Sequence, residues 1–428
     1  MINAPTQTTT ATPTPNPASK PPPPPNGGLL AWLHVLGGFA LFLNTWGLLN
    51  TFGVFQTYYA TSHPTTSPSA IAWIGSTQAT LLLIIGAITG PIYDRGHLRP
   101  LLVSGTTCIF LGHIFLSLST QYYQLLLSQG LLIGIGAGCL FVPCISVLPS
   151  YFSTRLGLAL GLDVSGSAAG GIMYPILLYR LLPRVGFAWS VRIMGFVALA
   201  TLALPLAVMQ QRTHPPRARA LLDRAALRDP HYGLFVGASL LAFLGLFVLL
   251  FYLSYAAERR RLASQEMAFY IVPILNAASC VGRTVPNALA DRVGPLNLIA
   301  PCCWVVAGCL FAMVGVDGVA GLVAVALVAG FFSGALIGLP PLCFVSLTKE
   351  KAMIGTRMGM GFGVIGLGVL AAGPGGGAIL GHGEGELDWT GLWVFGGNSP
   401  NYSQTSTSNP PHNSLSSPLL PSPQSQYL

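Results

Sequence analysis

The chain has 428 residues, of which 52% are apolar and 7% charged, and it carries a net charge of +8. An average soluble domain carries roughly 25% charged residues, so this composition excludes a water-solvated globular surface. The basic residues are split among separate loops, so the positive charge does not form a nucleic-acid-binding face.

The residues before Gly27, "TQTTTATPTPNPASKPPPPP", are rich in Pro and Thr and predict a disordered tail over 1–26. No charged segment leads into a short apolar core there, so no cleavable signal peptide is read, and the first span serves as the targeting signal. Apolar runs follow that are long enough to cross the hydrocarbon core as helices, which takes about 20 residues. They lie at 29–59, 69–93, 100–119, 122–150, 154–182, 186–209, 232–256, 266–290, 296–316, 319–347 and 353–381. A β-barrel would show short segments of alternating polarity instead. The expected fold class is therefore an all-α polytopic membrane protein. Residues 27–209 form an N-terminal six-helix half, 210–230 a basic linker, and 231–397 a C-terminal half of about five helices and the start of a sixth. From 398 to 428 the chain is polar and Pro/Ser-rich and cannot span a bilayer, so the twelfth helix is expected to be missing or cut short.

Thirteen of the 20 Lys and Arg residues fall on one side of this arrangement if the N-terminus lies in the cytoplasm, which is the orientation the positive-inside rule selects. The run "ERRR" at 258–261 is an exception to that bias. An odd number of spans then places the tail outside, where Asn401 in "NYS" forms a glycosylation sequon. The eight cysteines all fall within spans and read as small buried hydrophobes, not as a metal site or disulfides. No cofactor and no enzymatic constellation is read.

An internal repeat divides the chain. "YDRGHLRPLL" from Tyr93 matches "ADRVGPLNLI" from Ala290, with Asp94 and Asp291 separated by 197 positions. "TRLGLALG" from Thr154 matches "TRMGMGFG" from Thr356 at an offset of 202. "GLLIGIGAGCLFVPC" from Gly130 matches "GFFSGALIGLPPLC" from Gly330 at an offset close to 200. "FAWSVRIMGF" from Phe187 parallels "LDWTGLWVFG" from Leu387, after which the pattern stops at Gly397. The first three of these, in order along the chain at nearly one offset, predict two homologous halves, a parallel repeat of the kind found in transporters.

The same residues resemble a family. "GPIYDRGHLRP" and "ADRVGPLN" resemble the signature loops of the major facilitator superfamily. "YFSTRLGLALGLDVSGSAAGG" resembles the fifth-helix motif of its monocarboxylate porter family, "NGGLLAW" at 26–32 is a weakened form of that family's first-helix motif, and "NAASCVGRTVPNALADRVGPLN" resembles its fungal branch. The resemblance covers about residues 26–397. It implies a secondary transporter working by alternating access, with a small organic anion or amphipathic metabolite as its partner, protons as a further partner, and a monomer in the plasma membrane or a vacuolar or other internal membrane. Export of a secondary metabolite is the first reading, and uptake of a monocarboxylate or vitamin-like solute the second. An inactive or sensing transporter-like protein is the third.

Site residues follow from both lines. Asp94, Arg95, Arg99, Asp291 and Arg292 are candidate latch residues at helix ends. A carboxylate there can accept backbone N–H bonds from a neighbouring helix, and Arg can pair across to another. Asp163 lies about ten residues into the fifth span, near the midplane, and is a candidate proton-coupling or substrate-contacting carboxylate. The resemblance places Arg283 where animal monocarboxylate transporters hold the substrate carboxylate, and a forked guanidinium suits that role. The acidic residue that the family places one turn earlier is Ser279 here, and Asn50 stands near the position of the family's first-helix Lys. Asn276 and the seventh-span Tyr252 complete the set of candidate substrate contacts.

Overall fold

A computed structural model describes residues 24–212, 219–350, 353–381 and 387–397. The molecule is built from helices that turn apolar side chains outward as well as inward: Trp304 is 80% exposed and Leu234 75% exposed. Such faces are stable only in lipid, and the protein is a multi-pass membrane protein.

The first helix, α1 (Leu29–Ser62), is followed by α2 (Pro68–Asp94), α3 (Leu98–Leu118) and α4 (Tyr122–Ser150). The next helical element, Leu156–Val208, has 53 residues, about 80 Å at 1.5 Å per residue. One crossing needs only about 30 Å, so it must fold back. It does so at Gly186, whose φ of 72° favours a residue without Cβ. We number its limbs α5 (156–185) and α6 (187–208). The C-terminal half contains α7 (Pro230–Arg259), α8 (Gln265–Val293), α9 (Pro295–Gly315), α10 (Val319–Leu347) and α11 (Ile354–Leu380). The helix α12 (Trp389–Gly397) has nine residues, about 13 Å of rise. All eleven spans read from the sequence are present, and their ends move by a few residues.

Loop residues start the helices by capping them. Ser67 accepts from the Ala70 N–H at 3.2 Å, with Pro68 at the first helical position. Ser264 accepts from Met267 N–H at 3.3 Å. Asp229 accepts from the N–H groups of His231 and Tyr232, and Pro230 follows it. Each cap satisfies a donor that the helix itself leaves open.

Glycines set how closely the helices approach within each half. A Cβ on Gly166 of α5 would stand 2.1 Å from the Phe39 carbonyl oxygen of α1, and one on Gly170 would stand 2.4 Å from that of Leu43. In the second half, a Cβ on Gly282 of α8 would meet the Phe331 carbonyl oxygen of α10 at 1.8 Å. Backbones in contact replace the hydrophobic drive that lipid removes. The halves face one another through three helix pairs, α2 with α11, α5 with α8 and the end of α1 with α7.

Candidate functional site

The first helix is not continuous at its middle. Asn44 Nδ2 donates to the Ala40 carbonyl at 2.7 Å, Thr45 Oγ1 to that of Leu41 at 2.9 Å, and Thr51 Oγ1 to that of Gly47 at 3.0 Å. Side chains that bond the preceding turn in this way compete with the helix ladder and bend it. The helix breaks at Thr45 and again at Thr51. The short piece between them presents Trp46 to the centre of the molecule.

A narrow cleft lies there, with a cavity volume of about 30 Å³. The N-terminal half contributes Phe42 and Trp46 of α1, Phe141 and Ile145 of α4, and Leu160 and Val164 of α5. The C-terminal half contributes Phe243 of α7, Asn287 of α8, Ile337 and Leu342 of α10, and Phe362 of α11. Trp46 lies 6.3 Å from Phe141 and 6.5 Å from Phe247, and Phe141 meets Phe362 edge to face at 5.5 Å. Both halves therefore build one aromatic chamber. Two polar atoms of its lining side chains, Trp46 Nε1 and Asn287 Oδ1, are buried with no hydrogen-bond partner among the described residues. Asn287 uses its other end, Nδ2, on the Arg283 carbonyl at 2.6 Å.

None of the substrate contacts expected from the sequence, Arg283, Asp163, Asn50, Asn276 and Tyr252, lines this chamber. Arg283 is 1% exposed; its Nε donates to Ser279 Oγ at 3.2 Å and its Nη1 to the Val164 carbonyl of α5 at 3.4 Å. The guanidinium thus spans from the second half to the first, and Arg283 is not among the residues that wall the cleft. Asp163 is fully buried one residue before Val164, and both carboxylate oxygens lack a hydrogen-bond partner among the described residues. Oδ1 is held against α1, where a Cβ on Gly38 would stand 1.7 Å from it. No ion pair joins Asp163 to Arg283 among the described residues. Asn50 and Asn276 do meet: Asn50 Nδ2 donates to Asn276 Oδ1 across the halves at 3.1 Å. Gly171 leaves room for that amide, since a Cβ there would reach Asn276 Oδ1 at 2.4 Å. Tyr252 lies elsewhere. It is fully buried, and its hydroxyl donates to the Gly373 carbonyl of α11 at 2.6 Å, joining α7 to α11 away from the cleft.

Sequence reasoning passed over the aromatic wall and Asn287. Two signals were available. Phe243 follows Phe42 by 201 positions, the offset of the repeat. Asn276, Ser279, Arg283 and Asn287 recur at helical spacing and are all buried, so they form one polar stripe on α8.

At the opposite end of α2, Asp94 finds its partner in the segment between the halves. Arg219 gives it two guanidinium bonds of 2.7 Å and a backbone N–H bond of 2.8 Å. Arg95 and Arg99, expected to share in a latch, are exposed. Their helix ends project them outward, while Arg219 lies between α2 and α11, against Gly90 and Gly355. Four residues on, Asp223 accepts from Arg357 Nε of α11 at 2.9 Å, and Asp229 accepts from its Nη1 at 3.1 Å. Burial alone would raise both carboxyls; the bonds from Arg357 and from nearby backbone N–H groups outweigh it and hold them below the usual carboxylate range. Arg292 is exposed, and the side chain of Asp291 lies outside the described residues, as does Asn401.

Two signature stretches of the first half also come together. Asn26 Oδ1 accepts from the N–H groups of Ser153 at 2.6 Å and Thr154 at 2.9 Å, tying the approach to α1 to the start of α5.

Comparison with known proteins adds to this geometry. The profile of the Major Facilitator Superfamily matches residues 35–374. The chain is 63% identical over 373 residues to the MFS-type transporter dbaD of Emericella nidulans, covering 87% of this chain and 84% of that one. It is 34% identical to the aspyridones efflux protein apdF of the same fungus, covering 83% and 73%. Among solved structures it resembles the nucleoside transporter NupG with a TM-score of 0.65 at 16% identity, over 86% of this chain and 96% of that one. At that identity the likeness concerns the fold.

Proposed function

Because the chain belongs to the major facilitator superfamily and is a membrane transporter, not an enzyme, we propose that it exports a small organic metabolite by alternating access across the plasma membrane. The observation that carries this reading is the central cleft, walled by aromatic side chains from both halves and set among the helix pairs through which the halves meet. A chamber shared between two bodies opens to one side or the other as they rock. The efflux named for a relative at 34% identity supports the outward direction.

Three contacts have the character of a switch, two of them binding the linker to α2 and to α11 and one joining the halves directly. Arg219 with Asp94, and Arg357 with Asp223 and Asp229, fasten the end of the bundle that the positive-inside rule assigns to the cytoplasm. Asn50 with Asn276 fastens the middle. Asp163, held in the apolar packing of α1 and α5, is the proton-coupling group of this reading. Protonation would remove the cost of an unpaired buried charge.

Gene deletion followed by metabolite profiling of cells and medium tests the export reading. The expected result is accumulation inside the cell and loss from the medium of the same compound. Loss from inside the cell would instead support uptake. Proton-coupled uptake of a monocarboxylate or vitamin-like solute is the second reading, and Arg283 favours it. A buried guanidinium bound only to neutral acceptors is free to take a carboxylate.

A further inference from the structure

We infer that the central cleft binds a neutral, flat aromatic ligand that presents one hydrogen-bond acceptor to Trp46 Nε1 and one donor to Asn287 Oδ1. This inference rests on the transport reading and specifies its substrate class. Three observations carry it.

The first is the wall. Trp46, Phe141, Phe243 and Phe362 come from both halves, and the cavity of about 30 Å³ between them widens to admit a ring when the halves rock apart. Ring faces and edges set at these spacings accept another ring by stacking and edge contact. The second is the pair of unsatisfied atoms. Trp46 and Asn287 are each 3% exposed, and each keeps one polar atom without a partner among the described residues. Leaving a buried donor or acceptor unpaired is unfavourable, and a ligand that pairs both removes that cost. The two atoms are of opposite kind, since indole N–H only donates and the amide oxygen only accepts. The third is charge. The residues that wall the cleft include no Lys, Arg, Asp or Glu. Arg283 stands outside that wall, bonded to Ser279 and to the Val164 carbonyl. An anion placed between these rings would lose its hydration without gaining a cation.

The test uses purified full-length protein in detergent at pH 7.5 and three probes on one ring system. 2-Naphthamide is neutral and carries both a carbonyl acceptor and an N–H donor, 2-naphthoate is its ionised counterpart, and naphthalene has neither group. Binding is read by equilibrium dialysis of the tritiated compounds. Saturable binding of 2-naphthamide at least tenfold tighter than that of 2-naphthoate is expected. Trp46→Phe keeps the aromatic wall and removes the N–H, and Asn287→Ala removes the acceptor. Each should weaken 2-naphthamide roughly fivefold to tenfold and leave naphthalene within twofold. Thermal unfolding of each variant establishes that it is folded, and Asn287→Ser provides a second, smaller polar replacement if Asn287→Ala is not.

Preference for 2-naphthoate that disappears in Arg283→Gln would overturn the inference in favour of an anion site. Absence of saturable 2-naphthamide binding would overturn it outright, and so would equal losses for 2-naphthamide and naphthalene in the two variants. Counterflow of the same probes in proteoliposomes separates this from the transport reading. Selective binding of 2-naphthamide without any counterflow would count against transport alone, whereas counterflow selective for 2-naphthoate would count against the neutral ligand alone.

Discussion

Arg219 grips Asp94 with both arms of its guanidinium, Nε to Oδ2 and Nη2 to Oδ1, each at 2.7 Å. Their side chains retain 13% and 5% exposure. The pair joins the segment between the halves to the end of α2, and the same guanidinium lies against Gly355 of α11. Removing one partner of a buried pair costs on the order of 3–5 kcal/mol, and partial exposure here lowers that to about 1–3 kcal/mol. Arg219→Ala should therefore populate a state open at this end. The reading is the rate at which Gly90→Cys, in a background without other reactive thiols, is modified by a membrane-impermeant maleimide. An increase of tenfold or more is expected with Arg219→Ala, and a smaller one with Arg219→Lys, which keeps the charge but loses the fork. Unchanged modification in both would show that the pair does not hold this end shut.

Arg357 should make stability depend on acidity. The carboxyls of Asp223 and Asp229 lie below their usual range when folded. A depressed folded value adds stability that is fully present above the unfolded value, near 3.9, and is lost as pH falls through the folded one. Thermal unfolding in detergent should thus show a fall in Tm that begins around pH 4 and continues below it. Arg357→Gln should flatten that fall. If the wild type and Arg357→Gln follow the same acid profile, the two carboxylates are not what responds.

Asp163 is expected to couple transport to protons. Asp163→Asn keeps the shape and removes the titrating group, so it should abolish acceleration by a pH gradient while exchange of substrate across proteoliposomes continues. Gly38→Ala offers an independent approach from α1. Its Cβ would stand 1.7 Å from Asp163 Oδ1, so the carboxylate must move, and the pH dependence should change with it. An unaltered gradient response in Asp163→Asn would leave Asp163 as a structural residue.

Close backbone contact in the second half should be intolerant of a methyl group. A Cβ at Gly282 would lie 1.8 Å from the Phe331 carbonyl oxygen, whereas Gly363 has nothing within 4 Å. Overpacking of this kind costs about 1–3 kcal/mol or more. Gly282→Ala should lower Tm by several degrees and reduce the folded fraction in fluorescence-detected size exclusion. Gly363→Ala should match the wild type. Equal behaviour of the two would mean that α8 and α10 can separate at little cost.

Several buried polar groups were legible before the fold was known, while the walls of the candidate site were hidden for identifiable reasons. Asp94, Asp163, Arg283, Asn50 and Asn276 stand out in an apolar chain because a polar group in lipid needs a reason to be there. Two of them, Asn50 and Asn276, meet directly. The partner of Asp94 could not be read from its neighbours. Arg95 and Arg99 are adjacent in sequence yet project outward, while Arg219, 125 positions away, reaches it from the linker. Trp46, Phe141 and Phe362 were inconspicuous because aromatic residues are ordinary in membrane helices.

Span positions, the duplication of the halves and the superfamily were determined by the sequence itself, because crossing lipid imposes a length of apolar chain on each helix and an inherited repeat preserves its spacing. Which limbs face one another, and what each polar group touches, were decided only in the tertiary structure. Hydropathy is a property of a segment taken alone. The Arg283 contact with the Val164 carbonyl, the burial of Asp163 beneath Gly38 and the aromatic chamber all depend on helices from distant parts of the chain approaching at angles that glycines permit.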